Sequence, residues 1–231
     1  HTVRSVGMAM AMQGSGIGGV DVGSVQLKLN DDGFYTLMIG CSDMGTGCDT
    51  ILAQMAADGL GCDMDNIIVR GVDTDQSPYD SGSYASSTTY VTGGAVVKAC
   101  ESMRKRICEE AAAIMGLKSG EVDFDGETIS ENDNPEHSMT LSDLITSLEA
   151  GNGRIIEVTE SHTSPVSPPP FMAGAAEIEV DLETGKITPI NYVAAVDCGT
   201  VINTNLARIQ TEGGIVQGMG MTLYEDVQYT E

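Results

Sequence analysis

Apolar and polar positions alternate most clearly in two stretches. In residues 24–30, Val25, Leu27 and Leu29 fall on one side of an extended segment; Asn30-Asp31-Asp32-Gly33 supplies a hairpin turn, and residues 34–41 return as the partner strand. In residues 176–181, Ala176, Ile178 and Val180 alternate with Glu177, Glu179 and Asp181. Glu183-Thr184-Gly185 turns the chain, and Ile190, Tyr192, Ala194 and Val196 form a matching return strand. Further strands are expected over residues 3–12 (Val6, Met8, Met10 and Met12 alternate), 66–70 and 154–160. Helical spacing predicts four helices. One carries Ile51, Leu52, Met55, Ala56 and Leu60 and is closed by Gly61. The next carries Val91, Ala95, Ala99, Met103 and Ile107 and runs to about Met115. A short one spans Thr140–Ala150, and a last one spans Asn205–Tyr224 with Leu206, Ile209, Gly213, Val216, Gly220 and Leu223 on one face. Glycine inside a helix costs about 1 kcal/mol relative to alanine. Gly93, Gly94, Gly213 and Gly220 therefore predict another backbone packed close to those turns.

The pattern predicts an α+β fold in two subdomains, each a hairpin-based, mainly antiparallel or mixed sheet covered by helices. The stiff stretch Ser164-Pro165-Val166-Ser167-Pro168-Pro169-Pro170 is the expected crossover. The division is then 1–163 for a ligand-binding subdomain with two ligand loops and 164–231 for the second. Residues 119–138 read as an acidic loop with a turn at Asp125-Gly126, and Arg104-Lys105-Arg106 as a solvated helix face. Gly14-Ser15-Gly16-Ile17-Gly18-Gly19 is a flexible turn. No strand–helix unit follows it, so it is not a dinucleotide fingerprint.

Charge narrows the function classes. With 34 Asp+Glu against 11 Lys+Arg, the 231-residue chain carries a formal net charge of -23. Such a surface repels phosphate polymers and anionic lipid, so neither a nucleic-acid nor a membrane partner is expected. The six cysteines form no C-x-x-C pair and there are three histidines, which argues against a structural zinc or an iron–sulfur cluster on this chain. The thiols read as reduced, in keeping with a cytoplasmic setting. No apolar run approaches the ~18 residues of a membrane helix. His1 begins mid-pattern and Tyr224–Glu231 stop without a turn, so a fragment of a longer protein is expected.

Two loops carry candidate chemistry. Asp43-Met44-Gly45-Thr46-Gly47-Cys48 enters the first helix, and the Ser/Thr-rich stretch after Gly71 enters the second at about Ser86–Thr88. A helix start offers unpaired N–H groups and a positive dipole end, which suits an anion. Taken singly, each loop also fits a plain capped helix entry. Cys48 at a helix start could have a lowered thiol pKa, or be a small buried side chain. A serine hydrolase using residues 81–87 finds no triad context among His1, His137 and His162.

Taken together, these motifs resemble the second molybdopterin-binding domain of the molybdenum hydroxylases, the xanthine dehydrogenase and aldehyde oxidase family. The anchors are Asp32-Gly33; Met44-Gly45-Thr46-Gly47 with Gln54; Asp73-Thr74-Asp75; Ser83 through Gly93; Glu177 through Gly185; and Asp197-x-Gly199 with Asn203, Gln210, Gly213-Gly214 and Gln217-Gly218. The resemblance implies a pterin cofactor, in its cytosine dinucleotide form, with molybdenum on the pterin dithiolene. It implies hydroxylation of a heterocycle or aldehyde by water, and Fe–S and FAD units on other domains or subunits. It places Gly45, Thr46, Gly47, Tyr84, Ala85, Ser86, Ser87, Thr88 and Gln210 at the cofactor. A purine-type heterocycle is favoured over an aldehyde; a non-catalytic binding or assembly module is the alternative. Two positions depart from the family, Thr46 where Gln is usual and Thr204 where Pro is usual. The family's catalytic glutamate lies in a Gly-x-Gly-Glu motif that this chain lacks. Glu225 and Glu231 do not match it, so no catalytic residue and no metal ligand is expected here, and the chain alone is expected to be inactive.

Overall fold

The computed structural model describes residues 1–230, with Asn152 described by its backbone alone. The chain divides into two compact units, Gly16–Ser167 and a second made of His1–Ser15 with the segment from Pro168 onward.

The larger unit is built on a mixed sheet in the order β4-β3-β2-β8. The hairpin β2 (Gly23–Leu29) and β3 (Tyr35–Ile39) forms as its alternation dictates. Val25 faces Ile39, Leu27 faces Leu37 and Leu29 faces Tyr35, all six buried on one side of the sheet. From β3 the chain runs through α1 (Cys48–Leu60) into β4 (Ile67–Gly71), which lies parallel to β3. Then α2 (Thr88–Met115) packs along α1 and against β2 and β8 (Ile156–His162). The core fills the space between this sheet and the two helices, with Leu52, Leu60, Val96, Met103 and Ile107 fully enclosed.

The acidic stretch is not a loop. It folds as a small antiparallel sheet of β5 (Val122–Phe124), β6 (Thr128–Glu131) and β7 (Asn134–Thr140), with the expected turn at Asp125-Gly126. Val122, Phe124 and Ile129 are buried on its inner side, and β5 and β6, at three and four residues, leave little period to read. Helix α3 (Leu141–Asn152) follows, and Thr140 and Asp143 form a reciprocal capping box at its start.

Arg104 is likewise not part of a solvated face. Its guanidinium donates to the Leu60 carbonyl at 3.1 Å and to the Phe124 carbonyl, and lies 5.3 Å from the Phe124 ring centroid. It thereby supplies donors to the end of α1, whose last carbonyls lack helical partners, and to β5. Lys105 and Arg106 do face solvent, paired with Glu109 and Glu110. Lysine keeps the charge but cannot fork between two carbonyls. Arg104→Lys is therefore expected to cost about 1.5–3 kcal/mol, the worth of one hydrogen bond from a charged donor, as a lowered urea midpoint at unchanged slope.

The helix glycines meet different neighbours from those expected. A Cβ on Gly93 would come within 2.8 Å of the Met55 side chain, and one on Gly94 would overlap the His162 ring. At Gly93 and Gly94 the close partners are thus side chains rather than backbone.

In the other unit β1 (Thr2–Met12) pairs antiparallel with β9 (Phe171–Asp181) along its whole length, from Thr2 opposite Asp181 to Met12 opposite Phe171. Strand β10 (Ile187–Asp197) forms the expected hairpin with β9. Residues 1–15 therefore belong with the C-terminal segment, not with the 16–163 region to which the sequence division assigned them. An alternating strand does not name its partner, and the full-length pairing decides it. Helix α4 (Thr204–Leu223) is capped by Asn203, whose side chain accepts the Leu206 N–H at 3.1 Å. Its expected apolar stripe buries no residue; Gly213 has no neighbour close enough to touch an added Cβ, and Gly220 meets only the Glu225 side chain. The close packing expected at these two glycines is absent among the described residues. Glu231 lies outside the described residues.

Candidate functional site

The two candidate loops leave neighbouring strand ends. Ile39 and Gly71, the last residues of the parallel strands β3 and β4, are register partners. Residues 40–47 lead from β3 into α1, and residues 72–87 from β4 into α2. Crevices outside the carboxyl ends of parallel strands, where helices begin, are recurrent ligand sites. The loops touch: a Cβ on Gly40 would overlap the Pro78 carbonyl and sit 2.8 Å from the Asp80 Cβ.

The two helix starts differ in electrostatics. At α1 the Asp43 carboxylate accepts the N–H of Gly45 at 2.9 Å, Gly47 at 3.1 Å and Asp49 at 3.4 Å. These donors, Gly45 first, hold its carboxyl below the usual range. Asp49 places an acid in the first turn itself. Carboxylate groups from Asp43 and Asp49 and the Cys48 thiol lie within 4.8 Å of one another. Burial, and then the neighbouring Asp43 and Asp49, push the Cys48 thiol up rather than down, so Cys48 is the small buried side chain and not an activated thiol. The positive end of α1 is thus already occupied by the chain's own anions. Gly45 and Gly47 nevertheless keep left-handed backbones (φ 103° and 75°), and no atom lies within 4 Å of where a Gly45 Cβ would stand. A flat group can approach that backbone.

At α2 no carboxylate accepts an N–H of the first turn. The Ser87 hydroxyl does not cap the helix but donates to the Gly82 carbonyl at 3.0 Å, and the first turn carries no acid. Ala85 and Ser86 both have left-handed backbones (φ 50° and 58°), as does Val72 just after β4. Each such non-glycine residue costs about 1–2 kcal/mol and persists only where its surroundings impose it. The Ser83 hydroxyl is buried without a hydrogen-bond partner. Among the described residues, the buried polar side chains are Asp21, Ser24, Ser87, Thr92 and Ser164, and they gather around this helix start. Thr92 donates to Asp80 at 2.8 Å, Ser164 meets the Tyr90 hydroxyl at 3.1 Å, and Gly23, beside Ser24, lies against the Thr92 backbone. An uncapped, acid-free helix start with an orphaned hydroxyl beside it fits an anionic or polar ligand.

The structure therefore brings Gly45, Thr46 and Gly47 and Tyr84–Thr88 to one end of the larger unit. The Tyr84 hydroxyl donates to the buried Asp21 at 2.7 Å. Gln210 is exposed on α4 in the other unit. Sequence reading placed Ser83 and Asp43 in the two candidate loops without giving either side chain a role, and did not single out Asp21. Asp43 had a usable signal, an Asp two and four residues before glycines in a helix entry; Asp21 had none.

The model of the molybdopterin cofactor-binding domain matches residues 1–231. A probable hypoxanthine oxidase of Escherichia coli (strain K12) is 32% identical over 224 residues, covering 96% of this chain and 23% of that protein. The nicotine 6-hydroxylase large subunit of Paenarthrobacter nicotinovorans is 29% identical over 235 residues, covering 98% of this chain and 28% of its own. This chain thus spans about a quarter of the length of these relatives. Among solved structures, the aldehyde oxidoreductase of Desulfovibrio desulfuricans superposes with a TM-score of 0.76 at 27% identity, over 99% of this chain and 24% of its own. The CO dehydrogenase of Oligotropha carboxidovorans shares the fold with a TM-score of 0.88 at 23% identity, over 99% of this chain and 30% of its own. The chain belongs to the molybdopterin cofactor-binding domain family of the molybdenum hydroxylases.

Proposed function

We propose that this chain is the part of a xanthine dehydrogenase-like hydroxylase that holds the pterin dinucleotide, in a parent that oxidises a purine or related N-heterocycle with water as the oxygen source. The observation that carries this reading is the contrast between the two helix starts. The α2 turn, Tyr84–Thr88 with the Ser83 hydroxyl, has no acid in its first helical turn and would hold the cofactor's phosphates. The α1 loop, Gly45-Thr46-Gly47, is closed to anions by Asp43 but open to a flat ring, and would lie along the pterin. Thr46 offers a hydroxyl where the family's glutamine would offer an amide, so one pterin contact would be lost or replaced.

When bound, the cofactor supplies a molybdenum centre that accepts the two electrons released as substrate C–H and water become C–OH and two protons. The residues of this chain bind and orient it. We assign none of them as the general base. Iron–sulfur and flavin units on other domains or subunits of the parent would take the electrons onward, and a cytoplasmic location suits such an assembly. The heterocycle preference is supported by the relatives' names, a hypoxanthine oxidase and a nicotine hydroxylase. An aldehyde substrate is the alternative, supported by the likeness to an aldehyde oxidoreductase. A non-catalytic binding module is a further reading, favoured by the Asp43 and Asp49 carboxylates filling one of the two helix starts.

The test is elemental analysis of the full-length parent, made in a host that supplies the cofactor, with mass spectrometry of the released nucleotide. Molybdenum together with a cytidine nucleotide is the expected result. Neither, in a folded parent, would leave the binding-module reading in its place.

A further inference from the structure

The left-handed backbone at Ala85 and Ser86 must be held by something, and residues 16–21 do the holding. The Gly16 N–H donates to the Ala85 carbonyl at 2.7 Å. The Asp21 carboxylate, 1% exposed, accepts the Ile17 N–H at 2.7 Å on one oxygen and the Tyr84 hydroxyl at 2.7 Å on the other. A side chain at Gly16 would meet Asp21 and Val91 at 3.1 Å and Ser87 at 3.5 Å, and Gly16 itself has φ 76°, so only glycine seats the turn this closely against α2. From behind, the Ser167 hydroxyl donates to the Gly16 carbonyl at 2.6 Å and the Gly19 N–H to the Ser164 carbonyl at 2.7 Å. The Ala85–Ser86 pair is thus gripped on its carbonyl by Gly16 and on the adjoining side chain by Asp21.

We propose that Asp21 and Tyr84 form a positioning pair, which locks the strained Ala85–Ser86 backbone in its ligand-ready form before any ligand arrives. A buried carboxylate satisfied by one N–H and one phenol is a strong local tether, because breaking either bond leaves a buried carboxylate oxygen unsatisfied. A strained turn fixed in advance spares the ligand the cost of ordering it. The effect on the backbone stands by itself; the effect on cofactor retention rests on the function proposed above.

Hydrogen exchange on the full-length parent, purified from a host unable to make the pterin, tests the first part. Tyr84→Phe removes one hydroxyl from a half-exposed ring and is expected to speed exchange of the amides from Ser86 to Val91 at least tenfold. The α1 amides 51–60 should be unchanged. Asp21→Asn should do the same, and the double variant should add little to either single change, as for two ends of one bond. Exchange that is unchanged, or that rises equally in α1, would overturn the proposal. In the cofactor-supplied parent, Tyr84→Phe is expected to lower bound molybdenum at least threefold after prolonged dialysis, and full retention despite faster exchange would overturn the positioning role. A wild-type parent without molybdenum would instead count against the proposed function, while the exchange result would still decide the pair.

Discussion

Thr89→Glu is expected to strip the cofactor from the parent enzyme while leaving the fold as stable as before, or more so. Thr89 is exposed in the first turn of α2, makes no side-chain hydrogen bond, and lies in a turn that has neither a side-chain cap nor an acid. A carboxylate there interacts favourably with the helix dipole, worth about 0.3–1 kcal/mol. The same carboxylate stands where an anionic ligand group would. Two unit charges about 6 Å apart repel by roughly 1.5–3 kcal/mol at effective dielectrics of about 20–40, which corresponds to a ten- to hundredfold loss of affinity. Thr89→Gln, similar in size but neutral, is expected to retain molybdenum. Molybdenum per polypeptide and the thermal midpoint, measured on the same samples, check both halves. A simple helix-cap role for this turn would give the rise in stability without the loss of metal. Loss with both glutamate and glutamine would point to bulk rather than charge.

The opposed signs of that prediction come from an asymmetry that sequence reading could see only in part. The serines and threonines from Ser83 to Thr89 announced a helix start without aliphatic packing, and the structure puts one there. Asp43-x-Gly45-x-Gly47 reads equally well as an open anion cradle or as a loop that caps itself. The choice depends on where one carboxylate points: toward Gly45, Gly47 and Asp49. Asp21 was out of reach for a different reason. A lone acid between Val20 and Val22 has no period, and its partner Tyr84 lies 63 residues away. The hairpins were legible because two-residue alternation fixes both the strand and its buried face; β1 was legible as a strand but not as a partner of β9. Arg104, in a run of three cations, looked like its neighbours. Only α1's end and β5, brought together in space, distinguish it.

The largest loss of stability is expected from Gly126→Ala. Gly126 ends the Asp125-Gly126 turn between β5 and β6 with φ 118°, a value that side-chain-bearing residues rarely adopt. It also lies directly against Gly61, the left-handed cap of α1: a Cβ on Gly126 would overlap the Gly61 carbonyl, and one on Gly61 would come within 2.7 Å of the Asp125 carbonyl. The two glycines therefore let a turn and a helix end meet backbone to backbone, at the junction that Arg104 ties through Leu60 and Phe124. Alanine adds the backbone strain of its φ, about 1–3 kcal/mol, and an overlap with main-chain atoms that cannot rotate aside, about 1–3 kcal/mol more. A total of roughly 2–6 kcal/mol in a domain of this size lowers the thermal midpoint by about 4–24 °C. Gly116→Ala is the informative control. It shares a left-handed backbone at a helix end (φ 75°) but has no neighbour within 4 Å of an added Cβ, so it carries the strain without the overlap. A Gly126→Ala midpoint no lower than that of Gly116→Ala would show that the small sheet and the end of α1 can move apart at little cost. A much larger fall at Gly126 would make their contact a fixed joint of the unit that carries both ligand loops.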